Sequence, residues 1–293
     1  MTTDHRFGGD WTAAKLEVLR GYLSAYTTAL RNTSFRKLYI DAFAGTGYRT
    51  SAALEEADQS LPFPDLAESE PQNLLDGSAR IALQCDPRFD RYVFIERRPD
   101  RCDALRALVE EFPDRTSDVD IREGEANEQL QALCARDWRS ERAVLFLDPY
   151  GMQVEWRTIE AVAKTRAIDL WLLFPLGMGV NRLLPRSGDV PVQWQRRIDA
   201  LLGAREWRTA FYEVVQRPAL FGPEETMVKA SIDAIGQYFV ERLHSVFPGV
   251  VREPGILKNS RNSPLYLLCF AAANERGAPI AIRIAEHLLR DLR

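Results

Sequence analysis

The residues able to do chemistry sit at the ends of apolar runs. Asp41 closes Leu38-Tyr39-Ile40, and Phe43, Ala44, Gly45, Thr46 and Gly47 follow. Two glycines with one spacer let the backbone lie close against a ligand, and an acid beside them can accept hydrogen bonds from it. Glu96 closes Tyr92-Val93-Phe94-Ile95. A carboxylate there can accept from both hydroxyls of a ribose, a matched pair of donors. Gly124-Glu125-Ala126-Asn127 is a polar turn after a third run. Glu125 and Ala126 can meet an adenine amine, or the same residues can cap the following helix. Asp148-Pro149-Tyr150-Gly151 closes Ala143–Leu147. Asp148 can accept from an amino group, and Tyr150 can stack on a planar base. Each turn alone is ordinary. In this order they point to a nucleotide-type cofactor over the carboxyl edge of a parallel sheet.

These turns need strands and helices in alternation to hold them. Leu16, Leu19, Leu23, Tyr26 and Leu30 recur at helical spacing and predict a helix over 11–31. Strands are expected at 37–43, 91–96, 119–122, 143–147 and 168–174. Helices are expected at 78–84, with Ser78 as N-cap, and at 99–111, 127–137 and 155–165. The acidic, proline-bearing stretch 48–76 reads as a long surface loop. Helical patterns near 191–202 and 205–215 suggest an inserted cap, followed by a long helix at 227–247. Strands at 249–253 and 264–272, a polar loop at 254–263 and a helix at 278–291 complete the chain. The fold expected is α/β: a doubly wound, Rossmann-like sheet with an N-terminal helix and an inserted helical cap. Its parts are an N-terminal helical segment (1–35), a core (36–175), the insertion (176–226) and a C-terminal helix and strands completing the core (227–293).

Composition narrows the partners. The chain has 293 residues, a net charge of -4 and a pI near 5.6, so it lacks the overall basic balance of a dedicated nucleic-acid domain. A local basic face remains open: Arg182, Arg186, Arg196 and Arg197 form one group, and Lys258 and Arg261 another. Cys85, Cys102, Cys134 and Cys269 and the three histidines are too scattered for a metal site. The polar amino terminus has no signal core, and no apolar run reaches the ~20 residues of a membrane span. A reduced, cytoplasmic location is the expectation.

Taken together, Trp11, Lys15-Leu16, Leu19, Tyr22-Leu23, Tyr39 to Gly47, Gly77-Ser78, Phe94-Ile95-Glu96, Leu147 to Gly151 and Asn262-Ser263-Pro264-Leu265-Tyr266 resemble the three-Cys-motif partner proteins over nearly the whole chain. The resemblance implies a class I S-adenosylmethionine-dependent methyltransferase. It also implies a neighbouring gene product, carrying the three cysteines, as a partner. By the same resemblance Asp41, Phe43, Gly45, Gly47, Glu96, Glu125, Ala126 and Asp148 hold S-adenosylmethionine, and Lys15 approaches its carboxylate unless it is simply a solvated lysine. Asp148, Pro149 and Tyr150 are the catalytic turn.

A more distant resemblance is to amino-methyltransferases of nucleic acids. Those acting on adenine carry two prolines between the acid and the aromatic. Here one proline stands between Asp148 and Tyr150, a form similar to tRNA guanine-N2 dimethyltransferases. The expected activity is methylation of an exocyclic amine of a nucleic-acid base, and the rival is a non-catalytic scaffold on the same fold. A nicotinamide enzyme is disfavoured. Its turn needs a third glycine, and its acid stands about 20 residues on, whereas Glu96 lies 55 residues beyond Asp41.

Overall fold

The computed structural model describes residues 10–44, 77–149, 151–219 and 222–293. Gly45, Gly47, Tyr150 and the stretch expected to be a surface loop lie outside the described residues. Helix α1 (Asp10–Ala29) leads into β1 (Arg36–Asp41). Then come α2 (Ser78–Gln84), β2 (Arg91–Glu96), α3 (Pro99–Glu110), β3 (Val119–Glu123) and α4 (Ala126–Cys134). They are followed by β4 (Glu141–Leu147), α5 (Trp156–Lys164) and β5 (Ile168–Phe174).

The sheet runs β3-β2-β1-β4-β5 with every neighbour parallel. It continues into β10 (Pro264–Ala272), antiparallel to β5, with β8 (Gly249–Val250) and β9 (Gly255–Lys258) paired to β10. The α/β, doubly wound, Rossmann-like architecture expected from the alternation is therefore present. Strand order reverses between β1 and β4, and a crevice opens at such a switch point outside the carboxyl ends of the strands.

Side-chain alternation builds the two layers. Leu38 and Ile40 of β1, Leu145 and Leu147 of β4, and Leu170 and Leu172 of β5 face one core with α4, α5 and α8 (Ile232–His244). Tyr39, Val144, Phe146, Trp171 and Leu173 face the other, beneath α1, α2, α3 and α9 (Ala278–Leu288). A period of two with both faces apolar is what a buried parallel sheet requires. On the second face Tyr22 packs on Phe270 at 4.9 Å and on Trp171 at 5.3 Å. Its hydroxyl donates to Asp169 at 2.7 Å, which fastens α1 to β5.

Three expectations change. The segment expected as a helical cap holds α6 (Val192–Leu202) and a short α7 (Trp207–Phe211), but also a hairpin of β6 (Tyr212–Ala219) and β7 (Gly222–Lys229). Val214, Val215, Thr226 and Val228 are β-branched, and a β-branched run favours the extended ribbon over a helical turn. For the same reason α8 starts at Ile232 rather than 227, where Ser231 caps it by accepting from the Ala234 amide at 3.1 Å. The loop expected over 254–263 contains β9, whose Lys258 opposes Pro264.

Candidate active site

The sheet brings the four strand-end turns to one edge. Asp41, Glu96 and Asp148 end or immediately follow β1, β2 and β4, and Glu125 follows β3. The turns are tied together by backbone. Ala42 N donates to Phe146 O at 3.3 Å, Ala44 N to Ile95 O at 3.2 Å, and Gly124 N to Glu96 O at 3.0 Å.

Asp41 is 0% exposed. Its carboxylate accepts from Ser78 Oγ at 2.5 Å, Tyr39 OH at 3.2 Å and the Phe43 amide at 3.2 Å. Burial pushes its pKa up to about 7, and nearby Asp148 adds to the rise against those hydrogen bonds. Ser78 is not the N-cap of α2: Gly77 holds that position without a side-chain bond, and the Ser78 hydroxyl turns to Asp41 instead. Half-buried Phe43 begins the turn that enters the glycine pair.

Glu96 is likewise buried. Oε1 accepts from the Arg98 amide at 2.9 Å, and Oε2 lies 3.6 Å from Arg101. Glu125 takes the capping role: it accepts from the Glu128 amide at 2.9 Å and from Asn127 Nδ2 at 2.7 Å. Ala126, buried, opens α4. Asn127 is a residue that sequence reasoning left without a structural role. It donates to Gln153 O at 2.9 Å and accepts from the Glu155 amide and Thr158 Oγ1, each at 2.9 Å. One buried amide thus joins the turn after β3 to the turn after β4. Its only signal in the sequence is its place in the polar turn.

Asp148, with its side chain 21% exposed, is more open than Asp41 and Glu96. Lys15 reaches it from α1 and pairs with Oδ2. At 2% exposure Lys15 is not a solvated lysine. Its ammonium also lies 5.2 Å from the Trp11 ring centroid, and Trp11 stacks on Tyr266 at 5.3 Å. Pro149, next in the chain, is buried. The arrangement offers carboxylate acceptors for ribose-type and amine donors, and a buried aromatic pair packed against the lysine that holds Asp148. Among the described residues, no group of three or more His, Cys, Asp or Glu side chains is placed to hold a metal. No helix among them is long and apolar enough to cross a membrane.

No family model matches the chain, and no curated protein matches its sequence. Solved structures resemble it in part. A Legionella pneumophila protein of the DUF519 family is 13% identical with a TM-score of 0.37, covering 79% of this chain and 92% of its own. A spermidine synthase bound to a transition-state analogue is 10% identical with a TM-score of 0.42, covering 97% of this chain and 65% of its own. A methyltransferase from Geobacter sulfurreducens is 15% identical with a TM-score of 0.30, covering 75% and 80%. The fold assignment rests on the strand order itself.

Proposed function

We propose that this protein is an S-adenosylmethionine-dependent methyltransferase acting on an exocyclic amino group of a nucleic-acid base. The observation supporting this reading is the gathering of Asp41, Glu96, Glu125 and Asp148 at the carboxyl edge of the sheet, with Lys15 holding one oxygen of Asp148. The donor set suits the cofactor. Glu96 keeps acceptor capacity beyond one amide and a 3.6 Å ion pair, as two ribose hydroxyls require. When bound, S-adenosylmethionine supplies an electrophilic methyl on a sulfonium sulfur.

The chain's own residues do the positioning. Asp41, fully engaged, holds the turn leading into Gly45 and Gly47 rather than meeting the ligand directly. Ala126 and the cap at Glu125 shape the adenine end. Asp148 accepts an N–H of the acceptor amine through the oxygen that Lys15 leaves free, and so orients the nitrogen lone pair. Pro149 stiffens that turn, and Tyr150 stacks on the base. Positioning of this kind is worth about 7–11 kcal/mol against a bimolecular reaction. A base inside a duplex must first be flipped out, at a cost of about a few kcal/mol.

The resemblance to three-Cys-motif partner proteins adds a second reading, a scaffold for that neighbouring gene product. The cross-strand pair Val214 and Met227, 55% and 38% exposed on the β6–β7 hairpin, favours a protein partner there. Calorimetric titration with S-adenosylmethionine, with NAD as comparison, tests the first reading. Wild type should bind S-adenosylmethionine and not NAD. Glu96→Gln should weaken binding roughly tenfold, about 1.4 kcal/mol. Asp148→Asn should keep affinity within a few-fold yet lose most turnover. No binding by wild type, alone or with its partner, sinks the enzyme reading, and binding without turnover on any amine supports the scaffold.

A further inference from the structure

The cations of this chain differ in how they are neutralised. Over much of the surface they sit against carboxylates: Arg80 with Glu111, Arg91 and Arg122 with Asp120, Arg139 with Asp137 and Arg208 with Asp199. Beyond the carboxyl end of β5 the pattern stops. Among the described residues, Arg182, Arg186, Lys258 and Arg261 have no carboxylate within ion-pair distance. Arg186, Lys258 and Arg261 are exposed and Arg182 is half-buried.

In sequence these are two groups some seventy residues apart. The fold brings together the segments that carry them. Lys258 is the register partner of Pro264. The next residue, Leu265, accepts at its carbonyl from Gly177 N at 2.9 Å and Met178 N at 3.3 Å. A Cβ at Gly177 would stand 2.0 Å from Pro264 O, so only glycine permits this approach of backbone to backbone. Lys229 of β7 adds a third source of charge. Its ammonium donates to two carbonyls, Asn181 O at 2.7 Å and Leu184 O at 2.8 Å. Burial and then the neighbouring Arg186 push its pKa down, as a locally positive field does. From Tyr266, two residues beyond Pro264, a chain of buried contacts through Trp11 and Lys15 reaches Asp148.

We infer that Arg182, Arg186, Lys258 and Arg261 form a phosphate-binding rim that carries a single-stranded nucleic acid past Asp148. The destination of the base rests on the methyltransferase reading above, and the rim itself does not. A single strand suits the site because Asp148 is only 21% exposed, so a base must be splayed out to reach it. Cations tracking phosphates, with aromatic side chains beside them, are the usual means of holding a strand without reading its sequence. The net charge of -4 is compatible with this, because a local group of cations sets the potential at its own face whatever the overall balance.

The test is fluorescence anisotropy with a short labelled single-stranded RNA and its DNA counterpart across a salt series. Each phosphate contact contributes about -0.7 to the slope of log K against log salt for single strands. Arg182→Gln/Arg186→Gln and Lys258→Gln/Arg261→Gln should each flatten the slope by up to about 1.4. Lys164→Gln/Arg283→Gln, at positions away from the rim, should leave it unchanged. S-adenosylmethionine binding, measured on the same samples, should persist in both rim variants, reporting an intact fold. Slopes equal in all variants, or no oligonucleotide binding by a wild type that binds S-adenosylmethionine, overturn the rim. Oligonucleotide binding with the expected slopes but no S-adenosylmethionine binding upholds the rim and removes the methyltransferase reading. RNA binding tighter than DNA, or the reverse, assigns the sugar.

Discussion

At the scale of single residues, the site turns on two carboxylates that the sequence presents as equivalent and the fold treats differently. Asp41 is enclosed by Tyr39, Ser78 and the Phe43 amide, whereas Asp148 keeps part of its surface and a lysine. Asp41→Ala is therefore a perturbation of folding as well as of the site. Lys15 and Asp148 make the cleaner pair. Lys15→Met leaves a partly buried carboxylate without its cation and should cost about 1–3 kcal/mol of stability. Asp148→Asn in the Lys15→Met background should recover part of that loss. Denaturant unfolding of the two single variants and the double variant measures the coupling, and strictly additive losses would show that the pair is not energetically linked.

At the scale of elements, what holds the site together is the fastening of turns rather than the strands alone. Asn127 bridges Glu125, Gln153, Glu155 and Thr158, so α4, α5 and the turn after β4 share one buried amide. Asn127→Ala should lower stability by about 2–4 kcal/mol, because the buried groups it leaves behind lose their partners. The denaturant midpoint should fall with the slope unchanged. A loss under about 0.5 kcal/mol would mean that α5 docks without it. The residue types of the strands announce their own burial, as the bounds of β2 and β5 illustrate. The β6–β7 hairpin was less legible, because its aromatic neighbours Trp207, Phe211 and Tyr212 also fit a helical spacing. Contacts made elsewhere in the chain, such as Tyr212 OH to Pro185 O at 2.8 Å, accompany the extended form.

For the whole molecule, the buried acids set how stability varies with pH. Asp169, beneath α1, has its pKa raised from 3.8 to about 7 by burial, opposed by the Tyr22 hydrogen bond and Arg142. Asp41 is raised similarly. Below about pH 4 such a group is protonated folded or unfolded and contributes no pH dependence. Between about 4 and 7 only the unfolded chain releases the proton, so stability falls as pH rises, and above 7 the deficit is constant. Unfolding free energy should therefore decline from pH 5 to pH 8. Asp169→Asn should be near parity with wild type at pH 4 and more stable by roughly 1–3 kcal/mol at pH 8. Parallel pH profiles for the two proteins would remove Asp169 from this account.

The alternation of strands and helices from β1 to β5, the identity of the strand-end acids and the two apolar faces of the sheet were determined by the sequence alone. They depend on local periodicity and on which residues can end a buried strand. Which acids stay open, what Lys15 pairs with, that Ser78 serves Asp41 rather than a helix end, and that the segments carrying two distant basic groups meet at Gly177 and Pro264 were decided only by the tertiary structure. Each depends on distances between residues far apart in the chain, and no local pattern of residue types encodes those distances.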